Sequence, residues 1–260
     1  MGNAGSEVTG GGVQSVDRAL HALEILAKLG EAGVTEVAGD LGVHKSTASR
    51  LLAALEDREM VEQTQDRGKY KLGFGILRLA NAVSGSLDIT RQSQEIARQL
   101  AADVGETVNI AVLRSHYAVN LDQARGPSAI GAHDWVGELT PLHATSSGKV
   151  LIAHLSDEER HDLIKAAGLD TLTKRTLTSV ADLDRELALV ARDGYALTIE
   201  EFEEGLTAVA APVRDHLGAV IAAVSVSGPV YRLSEEKARE IAPQVVAAAD
   251  AVSWRMGYQG

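Results

Sequence analysis

Thr35-Glu36-Val37-Ala38-Gly39-Asp40-Leu41-Gly42-Val43-His44-Lys45-Ser46-Thr47-Ala48-Ser49-Arg50-Leu51-Leu52 divides into three parts. Thr35 is suited to cap a short helix that runs through Leu41. Leu41-Gly42-Val43 makes a tight turn. A second helix then covers residues 45–58, with Leu51, Leu52 and Leu55 inward. Upstream, Ser15 is suited to cap a helix whose apolar stripe is Val16, Leu20, Leu23, Leu26 and Leu29, and Gly30 ends it. Downstream, residues 61–64 and 69–72 read as two short strands around Gln65-Asp66-Arg67-Gly68, a composition suited to a hairpin tip. Helix, helix, tight turn, helix and a two-stranded wing make a winged helix-turn-helix pattern. Its second short helix would enter a DNA major groove with its N-terminal residues at the base edges.

Those residues are His44, Lys45, Ser46, Thr47, Ser49 and Arg50. Lys45 reaches a phosphate or a guanine. The three hydroxyls are short donors that allow close approach, and Arg50 forks onto a guanine or a phosphate. Arg67 and Lys69 would set wing charges against the flanking backbone. The plainer reading is a three-helix scaffold with a polar solvated face. Charge does not choose between the two by itself. The chain of 260 residues has a net charge of −11, which opposes phosphate binding. Residues 1–80, however, hold 9 basic and 11 acidic side chains, and Arg67, Lys69, Lys71 and Arg78 form a run with no acid between them.

The remaining composition excludes whole classes. Without cysteine there is no disulfide, no Cys-ligated zinc and no thiol catalysis. Aromatics at 3% leave too few rings for a base-stacking platform. No apolar run is long enough to span a membrane, and the Gly-rich start lacks the apolar core of a secretory signal, so a flexible tail over residues 1–12 and a cytoplasmic location are expected. Helix is expected over residues 76–83, a bend at Ser84-Gly85-Ser86, and an amphipathic helix over residues 89–104. Strands follow at 107–113 and 118–123, a helix at 147–155, and a capping box at Ser156 and Glu159 that opens a helix ending near Gly168. Ser179 opens another, ending at Gly194. Strands at 195–198, 206–213 and 219–226 come next, the last two joined by a hairpin at 214–218. Ser234 starts a long helix with a possible break at Pro243. The domains expected are a winged helix at 13–74, a linker helix at 75–90 and a mixed domain at 91–260, an α+β chain with an antiparallel sheet.

Several blocks are similar to those of IclR-type bacterial transcriptional regulators. They are the segment from Val13 to Leu20, the segment from Lys45 to Leu52, Pro141-Leu142-His143-Ala144-Thr145 with Gly148-Lys149, Asp193-Gly194-Tyr195-Ala196 with Glu200-Glu201 and Gly205-Leu206, Ala210-Ala211-Pro212-Val213, and Ser225-Val226-Ser227-Gly228-Pro229. The resemblance runs from about Val13 to Trp254 with the blocks in order. It implies an N-terminal winged helix, a linker helix and a C-terminal GAF/profilin-like effector domain. It also implies homodimers formed through the DNA-binding parts, often paired into tetramers. Such proteins control operons for the catabolism of small organic acids and aromatics, more commonly by repression than by activation. Arg18, in the first block, joins the DNA-contact residues on this basis.

The resemblance further implies an effector pocket lined by Ser146, Ser147, Ala208, Ser225 and Ser227, with Thr198 beside the Glu-Glu pair. A carboxylate would be held by hydroxyls and backbone N–H groups at a helix start. Thr198 and Ile199 stand where members that bind small oxoacids often carry Asp or Asn, which opens the site to a larger or more apolar effector. Trp135 is either an aromatic wall of this pocket or an ordinary half-buried Trp. The serines are alternatively core hydroxyls. Glu200, Glu201, Glu203 and Glu204 read as a solvated acidic loop.

Enzyme chemistry finds little support. The segment from His143 to Lys149 lacks the first Gly and the final Ser or Thr of a phosphate loop. There is no Gly-x-Ser-x-Gly elbow. His154, Glu158 and His161 are split by the Ser156 cap, so no metal site is expected there, and no cofactor anywhere. The expected partners are a pseudopalindromic double-stranded operator, a small-molecule effector and a second copy of the chain. A small-molecule-binding module or enzyme without DNA function stays as the alternative.

Overall fold

The computed structural model describes residues 11–64, 68–81, 84–128 and 133–259. The chain divides into two compact units, with the division at Ser84 and Gly85.

The first unit comprises α1 (Gly11–Leu29), β1 (Ala32–Gly33), α2 (Val34–Asp40), α3 (Lys45–Glu56), β2 (Val61–Gln63), β3 (Lys69–Leu72) and α4 (Phe74–Asn81). The three strands form an antiparallel sheet in the order β1-β3-β2. Ala22, Ile25 and Leu26 of α1 close over Val37, Ala38, Ala48, Leu52, Val61 and Tyr70. The start of α1 corrects the sequence reading, because Ser15 lies inside the helix rather than at its cap, and Gly11 and Gly12 belong to it. The expected stripe is also rotated. Leu26 is fully buried, whereas Val16, Leu20 and Leu29 are each at least half exposed. Position 22 carries a small Ala, which lets the helix approach closely on the face of Ile25 and Leu26. A similar shift affects α2, which starts at Val34 rather than after a Thr35 cap. Gly33 precedes it, and Gly33 N–H donates to Glu36 Oε2 at 2.7 Å. The expected wing tip at 65–67, including Arg67, lies outside the described residues.

The second unit is built on a six-stranded antiparallel sheet in the order β6-β5-β4-β9-β8-β7. Its strands are β4 (Thr107–Arg114), β5 (Tyr117–Ala124), β6 (Leu139–Pro141), β7 (Ala196–Ile199), β8 (Leu206–Arg214) and β9 (Val220–Pro229). Alternation along the central strands sends Val108, Ile110, Val209, Ala211, Val224 and Val226 to one face. There they meet α5 (Ser84–Val104) and α9 (Glu235–Arg255). The other face carries Ala118, Ala196, Ala210 and Ala223 and packs on α6 (Ser146–Ala153), α7 (Asp157–Ala167) and α8 (Val180–Asp193). Both faces are covered, so the fold is α+β with one layer of helices on each side.

Three expectations change here. Residues 84–86 form the first turn of α5 instead of a bend. Pro243 lies within α9, which continues to Arg255. The short strands β1 and β6, two and three residues long, were not foreseen, because so few residues carry no readable period. The Ser156 capping box is present, with its hydroxyl accepting from Glu159 N–H and the Glu159 carboxylate accepting from Ser156 N–H. Among the described residues, no helix is long and apolar enough to cross a membrane.

Candidate DNA interface and effector cavity

Helix α2, the turn and helix α3 are held by backbone geometry. Gly42 adopts a φ of 62°, which favours glycine, and Val43 N–H reaches back to Ala38 O at 3.0 Å. His44 stands just before α3, and its carbonyl accepts from Thr47 and Ala48 N–H. Ala48 and Leu52 face the core. His44, Lys45, Ser46, Ser49 and Arg50 are exposed together on the opposite side, and Thr47 is half-buried. Arg18 is half-buried on α1. Among the described residues, neither Lys45 nor Arg50 makes an ion pair. The basic run further on is different. Lys69 lies 2.7 Å from Glu31, Lys71 2.8 Å from Glu62, and Arg78 pairs with Glu59. Acids outside the run therefore pair with its described members, Lys69, Lys71 and Arg78.

The second unit contains a cavity on the α6 face of the sheet. Its volume is about 50 Å³, and it is partly open to solvent. Strand register assembles its floor. Asn109 of β4 pairs with Ser225 of β9, and Ser227 of β9 pairs with Ala208 of β8. All four side chains line the cavity. Asn109 Nδ2 donates to Ser227 Oγ at 3.3 Å, while Asn109 Oδ1 is buried with no hydrogen-bond partner among the described residues. Asn120 of β5 adds a second amide.

Ser146 and Ser147 open α6 at the next wall, both buried. Thr145 caps this helix, accepting from Gly148 N–H at 3.2 Å and donating to Pro141 O at 2.8 Å. Backbone N–H groups in a first helical turn lack intrahelical acceptors and favour an anionic ligand. Trp135 forms the aromatic side. Its backbone N–H donates to Gln123 Oε1 at 2.8 Å, and its ring meets Phe202 edge-on at 5.8 Å. The site is thus a small polar pocket of hydroxyls and amides with two rings on one flank. No charged side chain is among its described lining residues.

Of the residues singled out from the sequence, Trp135, Ser146, Ser147, Ala208, Ser225 and Ser227 all line this cavity. Thr198 does not. It is buried on β7 opposite Ala208, one strand further towards the sheet edge. The sequence reading missed Asn109, Asn120 and Phe202. A lone amide at Asn109 inside an otherwise apolar strand was the available signal, because an amide is costly there without a role.

The acidic loop also differs from expectation. Glu203 and Glu204 are exposed, but Glu200 turns inward to accept from Gly205 N–H at 2.9 Å. Glu201 lies against the fully buried Lys149 at 2.8 Å. Burial holds the Glu201 carboxyl above the ordinary carboxylate range, against the opposing pull of Lys149. His143 is buried, with Nε2 3.0 Å from Asp170 O, which suits a structural role. His161 pairs with Asp184 at 3.2 Å. Among the described residues, no group of His, Cys, Asp and Glu is arranged to hold a metal.

Comparison with known proteins agrees with this layout. The IclR helix-turn-helix domain model matches residues 15–65, and the bacterial transcriptional regulator IclR C-terminal model matches residues 81–254. The chain is 34% identical to the HTH-type transcriptional regulator XynR of Escherichia coli K12 over 95% of its length and 98% of the relative. It is 32% identical to the transcriptional repressor IclR of the same organism, over 95% and 91%. Among solved structures, the Thermotoga maritima IclR superposes with a TM-score of 0.78 at 27% identity, covering 95% of this chain and all of that one. An IclR homologue from Microbacterium hydrocarbonoxydans complexed with 4-hydroxybenzoate gives 0.76 at 26%, over 94% and 98%. The chain belongs to the IclR family of DNA-binding transcriptional regulators with an effector-binding domain, a family of regulators rather than enzymes.

Proposed function

We propose that this regulator represses a nearby catabolic operon and is released from it by a small organic acid or a related metabolite that enters the cavity. The observation that carries the reading is the cavity itself. Asn109, Ser225 and Ser227 offer hydrogen bonds on its floor, the start of α6 suits a carboxylate, and Trp135 with Phe202 suits a ring or other flat apolar part. The relative solved with 4-hydroxybenzoate shows that a protein of this architecture takes such a molecule. Repression is favoured because the relatives include the transcriptional repressor IclR, the acetate operon repressor and the repressor AllR.

DNA recognition is assigned to α3, with Lys45, Ser46, Thr47, Ser49 and Arg50 at the bases, and with His44, Arg18, Lys69 and Arg67 as supporting contacts. The functional domains are a winged helix at 13–74, a linker helix at 75–90 and the effector domain at 91–260. A homodimer presents two α3 helices to the half-sites of a pseudopalindrome, since two-fold protein symmetry calls for a symmetric site. A dimer of dimers extends the same arrangement. Effector binding shifts the equilibrium only as far as it prefers one state over the other.

The test is a gel-shift titration on DNA upstream of the gene and its neighbouring operon, at two salt concentrations against random competitor. A specific complex that weakens with salt and dissociates when small aliphatic or aromatic acids are added is the expected result. Absence of any specific complex sinks the reading and returns the module or enzyme alternative. A complex that tightens on adding the acid overturns the sign of control alone.

A further inference from the structure

Lys149 closes the first turn of α6 and is fully buried, an unusual place for an ammonium group. Its Nζ sits 2.8 Å from Glu201 Oε1 and 3.5 Å from Glu186 Oε1. The Glu201 side chain is itself only 11% exposed, so this is an interior ion pair rather than a surface one. Neither Lys149 nor Glu201 lines the effector cavity, yet each is joined to a part that does. Ser146 and Ser147 precede Lys149 on the same helix. Phe202 follows Glu201 directly and puts its ring against Trp135. The loop backbone is held from a third side, where Thr173 Oγ1 donates to Glu200 O at 2.6 Å and Thr176 Oγ1 donates to Glu201 O at 2.7 Å.

We infer that Lys149 is a positioning residue for the effector cavity, its ammonium holding Glu201 so that Phe202 stays as the wall opposite Ser146 and Ser147. A buried ion pair is a poor device for stability, since apolar residues of similar volume often replace one at no loss. What it supplies is direction. An ammonium surrounded by two carboxylates fixes where the loop's side chain points, and therefore where the next residue's ring stands. The consequence for ligand binding rests on the proposed effector reading, but the positioning itself does not.

The experiment uses the full chain in a Trp254→Phe background, which leaves Trp135 as the one tryptophan of the two in the sequence. Trp254 is 72% exposed and would otherwise dominate quenching. Acrylamide quenching of Trp135 and hydrogen exchange over residues 200–206 are compared in the background, Lys149→Met, Glu201→Gln and the double variant Lys149→Met/Glu201→Met, all without ligand. In Lys149→Met the quenching constant rises about twofold and exchange over 200–206 quickens, while exchange in β8 and β9 beyond that segment is unchanged. Glu201→Gln keeps an oxygen for the ammonium and stays near the background value.

The double variant is decisive. Its thermal midpoint recovers, because the buried pair is removed whole and Glu186, with its side chain 33% exposed, keeps its contact with solvent, but Trp135 stays accessible because the directional tie is gone. Recovery of both together assigns Lys149 a purely structural role and overturns the inference, as does a folded Lys149→Met with unaltered Trp135. If Lys149→Met does not fold, Glu201→Met cuts the same tie from the other end and carries the same two outcomes. These readouts need no effector. Failure of every acid to release operator DNA alongside a loosened Trp135 counts against the effector reading alone.

Discussion

Asn109 shows how one residue separates stability from response. Among the described residues its buried Oδ1 has no partner, and its side-chain bond to Ser227 is long at 3.3 Å. Losing that bond costs about 0.5–1.5 kcal/mol, and removing an unsatisfied buried acceptor returns a similar amount. Asn109→Val, which suits a strand, is therefore expected to unfold within about 1 kcal/mol of the wild type in a urea titration. The same variant should need at least about tenfold more acid to release operator DNA if the amide contacts the effector. A normal response would place the ligand elsewhere. His154 makes a pH prediction. Burial, with Arg214 adding to it, holds its imidazole below the ordinary value of 6.5. The folded state therefore favours the neutral ring, and the unfolded chain binds the proton first as pH falls. The stability His154 contributes is complete above about pH 6.5 and is lost as pH drops through the lower folded value. Thermal midpoints between neutrality and mild acid should fall less steeply in His154→Leu than in the wild type. Equal slopes would mean that other groups set the acid limit.

At the scale of elements, sequence reading succeeds where the physics is local. The Ser156–Glu159 box and the Gly194 C-cap, with its φ of 79°, involve neighbours three or four residues apart, and both were legible. The α1 stripe was legible as a helix but not as a face. Of the stripe Val16, Leu20, Leu23, Leu26 and Leu29, tertiary packing buries Leu26 and half-buries Leu23 but leaves the other three exposed, and it adds Ala22 and Ile25. The serine positions of the cavity were reached through motif likeness. Asn109, Phe202 and the Lys149–Glu201 tie were not reached, because partners 52 residues apart leave no period to read. Lys45, Ser46, Ser49 and Arg50 are exposed because their helix needs only one core side, Ala48 and Leu52, to be oriented. Gly148 illustrates an element-level demand that the motif hides. A Cβ there would stand 2.5 Å from Leu142 Cα and Leu142 O, so α6 approaches the end of β6 more closely than any side chain permits. Gly148→Ala is expected to cost about 3 kcal/mol in chemical denaturation, with Ser146 and Ser147 displaced from the cavity. A stability loss under about 1 kcal/mol would show that the helix shifts freely.

Across the whole molecule, charge placement makes a DNA-binding prediction of its own. A chain with a net charge of −11 repels phosphate unless positive charge is concentrated where it meets DNA. On the described surface of the first unit, Lys45 and Arg50 are without acidic partners, whereas Lys69 and Lys71 are matched by Glu31 and Glu62. Each such half-exposed pair adds little to stability, but its lysine must give up a carboxylate before it can take a phosphate. Lys45→Ala should therefore lower the slope of log affinity against log salt by about one per protomer, whereas Lys69→Ala should change it far less. Arg50→Ala should weaken specific binding by about 1–3 kcal/mol if it forks onto a base, and bind random DNA more nearly as before. Glu31→Gln tests the masking directly. It leaves Lys69 without that neutralising charge and should steepen the salt dependence on random DNA as much as on the operator, because a phosphate contact carries no sequence information. If Lys69→Ala lowers the slope as much as Lys45→Ala, the Glu31 pair opens on DNA, and the wing rather than α3 alone carries the electrostatic contact.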